Sequence, residues 1–178
     1  MEDGEFVACF SEDGTRVFTG WASGYVKIFD PTTMNLVKQI KVPNSSFVDI
    51  ESSPDSLLVA ATSGDGSILV FEQLTGKLVS AIAGPGRTVV DVNFDSTTGQ
   101  IVAVASNGEM YVFDPYSGKT LAGPHPTGGR TGAMTISEDS SLVATGGVDG
   151  IVTVFKYAAP AGSTSKPKLN IEPGQSML

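Results

Sequence analysis

The residues of this chain best suited to chemistry are few: one histidine, one cysteine and one glycine-rich run. His125 stands in Gly123-Pro124-His125-Pro126, with no cysteine or carboxylate at nearby ligand spacing. An imidazole works as a base or a metal ligand only where a partner group orients it. The surroundings predict a solvated loop histidine instead. Cys9 lies in the apolar run Phe6-Val7-Ala8-Cys9-Phe10, which predicts a buried and inert thiol. One cysteine forbids an internal disulfide, and with one histidine it cannot build the usual zinc set. Thr127-Gly128-Gly129-Arg130-Thr131-Gly132 has the glycines of a phosphate loop but not its Gly-Lys-Ser/Thr ending, and no helical pattern follows. It reads as a connector. The expectation is a protein with no catalytic residue, no metal and no cofactor.

The elements that carry these residues are set by an internal repeat. Phe29, Phe71, Phe113 and Phe155 are spaced by 42 residues, as are Gly24, Gly66, Gly108 and Gly150. Val17, Val59, Ile101 and Val143 keep the same interval, and so do Ile28, Val70, Val112 and Val154. Each copy reads as four short strands. In the first these are Phe6–Phe10, Arg16–Gly20, Tyr25–Phe29 and Leu36–Val42, parted by Ser11-Glu12-Asp13-Gly14, Ser23-Gly24 and Asp30-Pro31-Thr32-Thr33. The later tight turns are Asp65-Gly66, Asn107-Gly108 and Asp149-Gly150, pairs that favour two-residue hairpins with both central residues at positive φ. Strands dense in Val, Ile and Phe suit sheets buried on both faces. A unit of about 40 residues with four antiparallel strands is the blade of a β-propeller.

The 178 residues carry 11 Lys and Arg against 19 Asp and Glu, a net charge of −8. That balance repels a nucleic-acid backbone or an anionic membrane, so neither is expected as a partner. No apolar run approaches the ~18 residues that a membrane span needs. The acidic opening Met-Glu-Asp-Gly-Glu is unlike a signal peptide, and with the lone cysteine it predicts a cytoplasmic setting.

Several segments resemble the WD-repeat family. Phe10-Ser11-Glu12-Asp13-Gly14 and Ser53-Pro54-Asp55-Ser56 are similar to the family's Phe-Ser-Pro-Asp-Gly, and residues 144–155 are similar to its second and third strands. Its closing Trp-Asp becomes Phe29-Asp30, Phe71-Glu72, Phe113-Asp114 and Phe155-Lys156. No Gly-His pair is present, so the family's Asp-His-Ser-Trp hydrogen-bond arrangement cannot form. The resemblance spans residues 5–157 and implies a protein-interaction scaffold, with an association with cilia or the cytoskeleton as a looser analogy. Residues 65–77 and 107–119 are also similar to pyrroloquinoline-quinone repeats, which implies the alternative of a fragment of a quinoprotein-like enzyme propeller using that quinone and calcium.

The organisation expected is a short lead at residues 1–4, blades at about 5–46, 47–88, 89–130 and 131–157, and a Pro/Ser/Gly-containing tail at 158–178. Residues 167–171 alternate weakly and could add a strand. Propellers of this family close with about seven or eight blades. A four-blade arc would leave two apolar faces open, so completion is expected. It could come from a second copy forming an eight-bladed ring, from docking on another propeller, or from further sequence. The inter-blade loops near Asn44, Arg87 and His125 to Arg130 are expected on one face with the tight turns. Trp21 replaces the small residues Ser63, Ala105 and Gly147 there. Trp21, Arg87, His125, Arg130, Asp65, Asn107 and Asp149 are therefore the candidate contacts for partner proteins. The opposite face gathers Glu12, Asp13, Asp30, Asp55, Glu72, Asp95, Asp114, Glu138 and Asp139, expected as solvated turns.

Overall fold

The computed structural model describes residues 5–43 and 45–161, with side chains from Val7 onward. The described chain is all-β. The first sheet holds β1 (Glu5–Phe10), β2 (Val17–Trp21), β3 (Tyr25–Phe29) and β4 (Leu36–Lys41). The second holds β5 (Phe47–Ser52), β6 (Leu58–Ser63), β7 (Ile68–Glu72) and β8 (Leu78–Ile82). The third holds β9 (Val89–Phe94), β10 (Ile101–Ala105), β11 (Glu109–Phe113) and β12 (Thr120–Pro126). The fourth holds β13 (Thr131–Ile136), β14 (Leu142–Gly147) and β15 (Val152–Lys156). Strands pair antiparallel in chain order, so each sheet is one repeat and one blade. The fourth blade has three strands among the described residues, and its candidate outer strand at 167–171 lies outside them.

Side chains in the turns hold the strand spacing. Ser11 Oγ donates to Asp13 Oδ1 (2.6 Å) and accepts the Arg16 N–H (2.9 Å). Ser53 with Asp55, and Ser137 with Asp139, repeat the arrangement. These local bonds stop the first strand and start the second without a buried unpaired group. The tight hairpins depart from the expected two-residue form. Only the glycine is left-handed, with φ of 88° at Gly66 and 83° at Gly108, and the residue before it is not. A bond from the Gly66 N–H to the Ser63 carbonyl (2.8 Å) instead closes a type I turn ending in an αL residue. Glycine has a second reason to be there. A Cβ at Gly66 would run into the Arg87 carbonyl oxygen, and one at Gly108 into that of Gly129.

β1 lies against β5, β5 against β9 and β9 against β13, so the blades converge on their first strands. Three apolar clusters fill the wedges between successive blades. The first joins Phe18, Val26 and Ile28 to Ile50, Val59 and Phe71. The second joins Ile68, Val70 and Ile82 to Val92, Ile101 and Phe113. The third joins Val102, Met110 and Val112 to Met134, Val143 and Tyr157.

Candidate interaction surfaces

Every blade has a forward face, toward the next repeat, and a rear face, toward the previous one. On the forward faces of the first three blades, Val26, Ile68 and Met110 share one repeat position and are 0–4% exposed. Val152 occupies that position in the fourth blade and is 70% exposed. Ile28, Val70 and Val112 are likewise buried, whereas Val154 is 59% exposed. Leu58 is buried and Leu142, its equivalent, is exposed. The rear face of the first blade is bare in the same way: Phe10 is 64% exposed where Phe94 is 5% exposed. The described chain is therefore an open arc with an apolar face at each end.

The first strands carry a row of acids that sequence reasoning passed over. The Asp49 carboxylate accepts the Val92 N–H (2.8 Å) and that of Asp91 accepts the Met134 N–H (2.9 Å), so each acid ties its blade to the next. Asn93 Nδ2 also donates to Asp91 (2.8 Å). Val7 and Ala133 hold the equivalent positions in the first and fourth blades and have no such acceptor. Burial raises Asp49 above the usual aspartate range. Burial first, then the charges of Asp49, Asp91 and Glu12, pushes Glu51 up to about 7. Asp91 rises to about 6, chiefly through burial. Burial, with Glu51 and Asp49 nearby, lifts the half-buried Cys9 thiol to about 12, which keeps it protonated and unreactive. The signal for this row was a charged residue at the same place in two apolar strands, 42 residues apart. Among the described residues, no group of three or more His, Cys, Asp or Glu could hold a metal ion.

The inter-blade loops do share one end of the blades with the tight turns. The Thr127 N–H bonds the Gly108 carbonyl (2.8 Å) and the Arg87 backbone packs on Gly66. Asn44 lies outside the described residues. Trp21 ends β2 half-buried, its indole N–H on Thr19 Oγ1 (2.7 Å) and the Lys27 ammonium 3.4 Å above its ring. Lys41 Nζ sits 4.2 Å from the Tyr25 ring and donates to the Ser23 carbonyl. Two lysines and two aromatic rings thus form one cationic rack at this rim of the first blade. Asp65 accepts from the Ser67 N–H and hydroxyl (2.9 and 2.7 Å), bonds that hold its pKa down. Asn107 bonds Glu109, and Asp149 accepts the Ile151 N–H (3.0 Å). These three side chains are committed to their own turns. Arg87 and Arg130 are exposed at the same end. His125 is exposed too, but on the strand β12, opposite Met110, and not in a loop. Outer strands tolerate prolines because one side of their backbone has no ladder partner, so Pro124 and Pro126 do not end β12.

The opposite end is less solvated than its composition implied. Asp95 and Asp114 are buried, each capping its turn through backbone N–H groups. A cleft of about 510 Å³ opens there between the 53–55 and 96–100 turns, with Ala159 to Ala161 along one side. Gln100 is buried at its wall and donates to the Pro160 carbonyl (3.1 Å).

No family model and no curated protein matches this chain. Among solved structures it is similar to the crystal structure of the computationally designed Ika4 protein, with a TM-score of 0.75 and 21% identity. The match covers 89% of this chain and 94% of that one. At that identity the likeness concerns the fold, a repeated β-sheet blade architecture.

Proposed function

We propose that this chain is a non-catalytic protein-interaction scaffold of the WD-repeat type, acting through its open blade faces as part of a larger assembly. One observation carries the reading: Val152 and Val154 are exposed at repeat positions that are buried in the other three blades. Leaving such a face in water costs roughly 25 cal/mol per Å² of apolar surface, which a protein partner recovers by covering it. The cationic rack of Trp21, Lys27, Tyr25 and Lys41 is a second, smaller contact patch, suited to an acidic loop of a partner protein. The single cysteine favours a reducing, cytoplasmic setting.

The competing quinoprotein reading is tested directly. The purified chain is titrated with calcium and pyrroloquinoline quinone, and reduction of an electron-accepting dye is followed with primary alcohols and sugars. A scaffold leaves the dye unreduced and the quinone spectrum unchanged. Turnover above the protein-free control would refute the scaffold.

A further inference from the structure

We propose that the partner covering both open faces is a second copy of this chain, joined forward face to rear face at two identical seams to close one ring. The inference rests on the scaffold reading and names its partner. Its ground is the three junctions already built within the chain. At each, forward-face residues such as Ile68 and Val70 meet rear-face residues such as Ile101 and Phe113. The fourth blade presents the forward half of that junction, Val152 and Val154, and the first blade presents the rear half, Val17, Phe29 and Phe10. An unrelated partner would have to reproduce either half. A second copy presents both, in the correct order and on the same repeat spacing.

The same logic selects the symmetry. The forward face of the fourth blade cannot pack on another copy of itself in this way: Ala144 stands there where the first blade has Phe18, and the aromatics that recur at the wedges, Phe71 and Phe113, stand on the rear side. Each contact is therefore heterologous, and two copies related by a twofold axis satisfy both seams at once. Four blades from each copy give a ring within the usual propeller range of about four to eight. The seams would lack the acidic tie found at the second and third internal junctions, since Ala133 stands where Asp49 and Asp91 accept a backbone N–H. They match the first internal junction, where Val7 holds that place.

The test uses two variants of the full chain, Val152→Asp on the forward face and Phe10→Asp on the rear face. Both positions are mostly in water in the single chain, so each variant keeps its fold, checked by circular dichroism. Light scattering across a concentration series should give the wild type roughly twice the 18.4 kDa chain mass. Each variant alone should fall to the single-chain mass. A mixture of the two should regain a one-to-one pair, because the intact rear face of the first meets the intact forward face of the second. A monomeric wild type at all concentrations would overturn the second copy as partner while leaving the scaffold reading to its own assay. Loss of pairing in Val152→Asp with none in Phe10→Asp would overturn the forward-to-rear seam. A mass that keeps growing with concentration would overturn ring closure.

Discussion

Replacing Glu51 by glutamine removes the charge that the inner strands tolerate least. The unfolded chain releases this proton near 4.5 and the folded chain near 7, because burial and the neighbouring Asp49, Asp91 and Glu12 oppose ionisation. Between those values the native state binds more protons than the unfolded one, so stability falls as pH rises from 4.5 to 7. Below 4.5 both states are protonated and Glu51 carries no penalty; above 7 the penalty is complete. Fully expressed, the difference is worth roughly 3 kcal/mol. Glu51 is only half-buried, and water reduces this to about 1–2 kcal/mol. Glutamine keeps the size and hydrogen-bonding capacity but cannot ionise. Urea unfolding, followed by Trp21 fluorescence and circular dichroism at fixed protein concentration and ionic strength, should show Glu51→Gln more stable than wild type by that amount at pH 8. At pH 5 the gain should shrink to roughly 0.6–0.8 kcal/mol, because the folded state there still holds most of its proton while the unfolded chain has lost most of its own. The acids whose pKa is lowered by turn hydrogen bonds, such as Asp65 and Asp139, lose their stabilisation only well below pH 5 and so do not disturb the comparison. An equal gain at both pH values would refute the argument, since a change of packing acts regardless of protonation.

Three further outcomes follow from particular residues. Met34 holds φ of 56° at the repeat position where Gly76 and Gly118 stand, and Met34→Gly should raise the unfolding free energy by about 0.5–1 kcal/mol, seen as a higher urea midpoint, from the left-handed strain less the extra freedom of the unfolded glycine. No rise would mean that the turn is unstrained. Val70→Ala should cost about 2–3 kcal/mol in a dilute chain by opening a cavity in a fully buried site, while Val154→Ala at the equivalent exposed site should cost under about 0.5 kcal/mol. Similar losses from the two substitutions in a single chain would contradict the open forward face. Asp91→Ala should be less stable than Asp91→Asn by about 1–2 kcal/mol at pH 8, because only the amide still accepts the Met134 N–H. Slower amide exchange at Met134 in Asp91→Asn than in Asp91→Ala checks the same bond, and equal exchange would remove its role.

Much of the architecture was legible in residues 42 apart. Turn glycines, a closing phenylalanine and runs of Val and Ile marked four units of short strands, and those strands form in the expected order. The turns were harder to read. Asp-Gly and Asn-Gly pointed to two positive φ angles, yet the aspartate accepts from the backbone two residues on and only the glycine turns left-handed. Among the candidate contacts, Asp65, Asn107 and Asp149 had the right location, but their oxygen atoms serve their own turns. Trp21 stood out as an unshared aromatic; the lysine above its ring comes from the next strand across and could not be read from neighbouring residues.

The local pattern by itself determined the blade, because turn chemistry and strand alternation act within about 40 residues. It also determined that successive blades would share one packing scheme, since the same apolar positions recur in each. Which of those positions reach water was decided only by the tertiary structure. Val70 and Val154 are the same residue at the same place in their repeats, one fully buried and one 59% exposed. The acids obey the same distinction. Glu51 lies in a short apolar strand and Asp65 in a turn, yet one is pushed toward neutrality and the other held charged. Burial between the blades pushes Glu51 up, whereas the Ser67 hydroxyl and N–H hold Asp65 down in a turn that water still reaches. Burial belongs to the pair of surfaces that meet, not to either sequence alone.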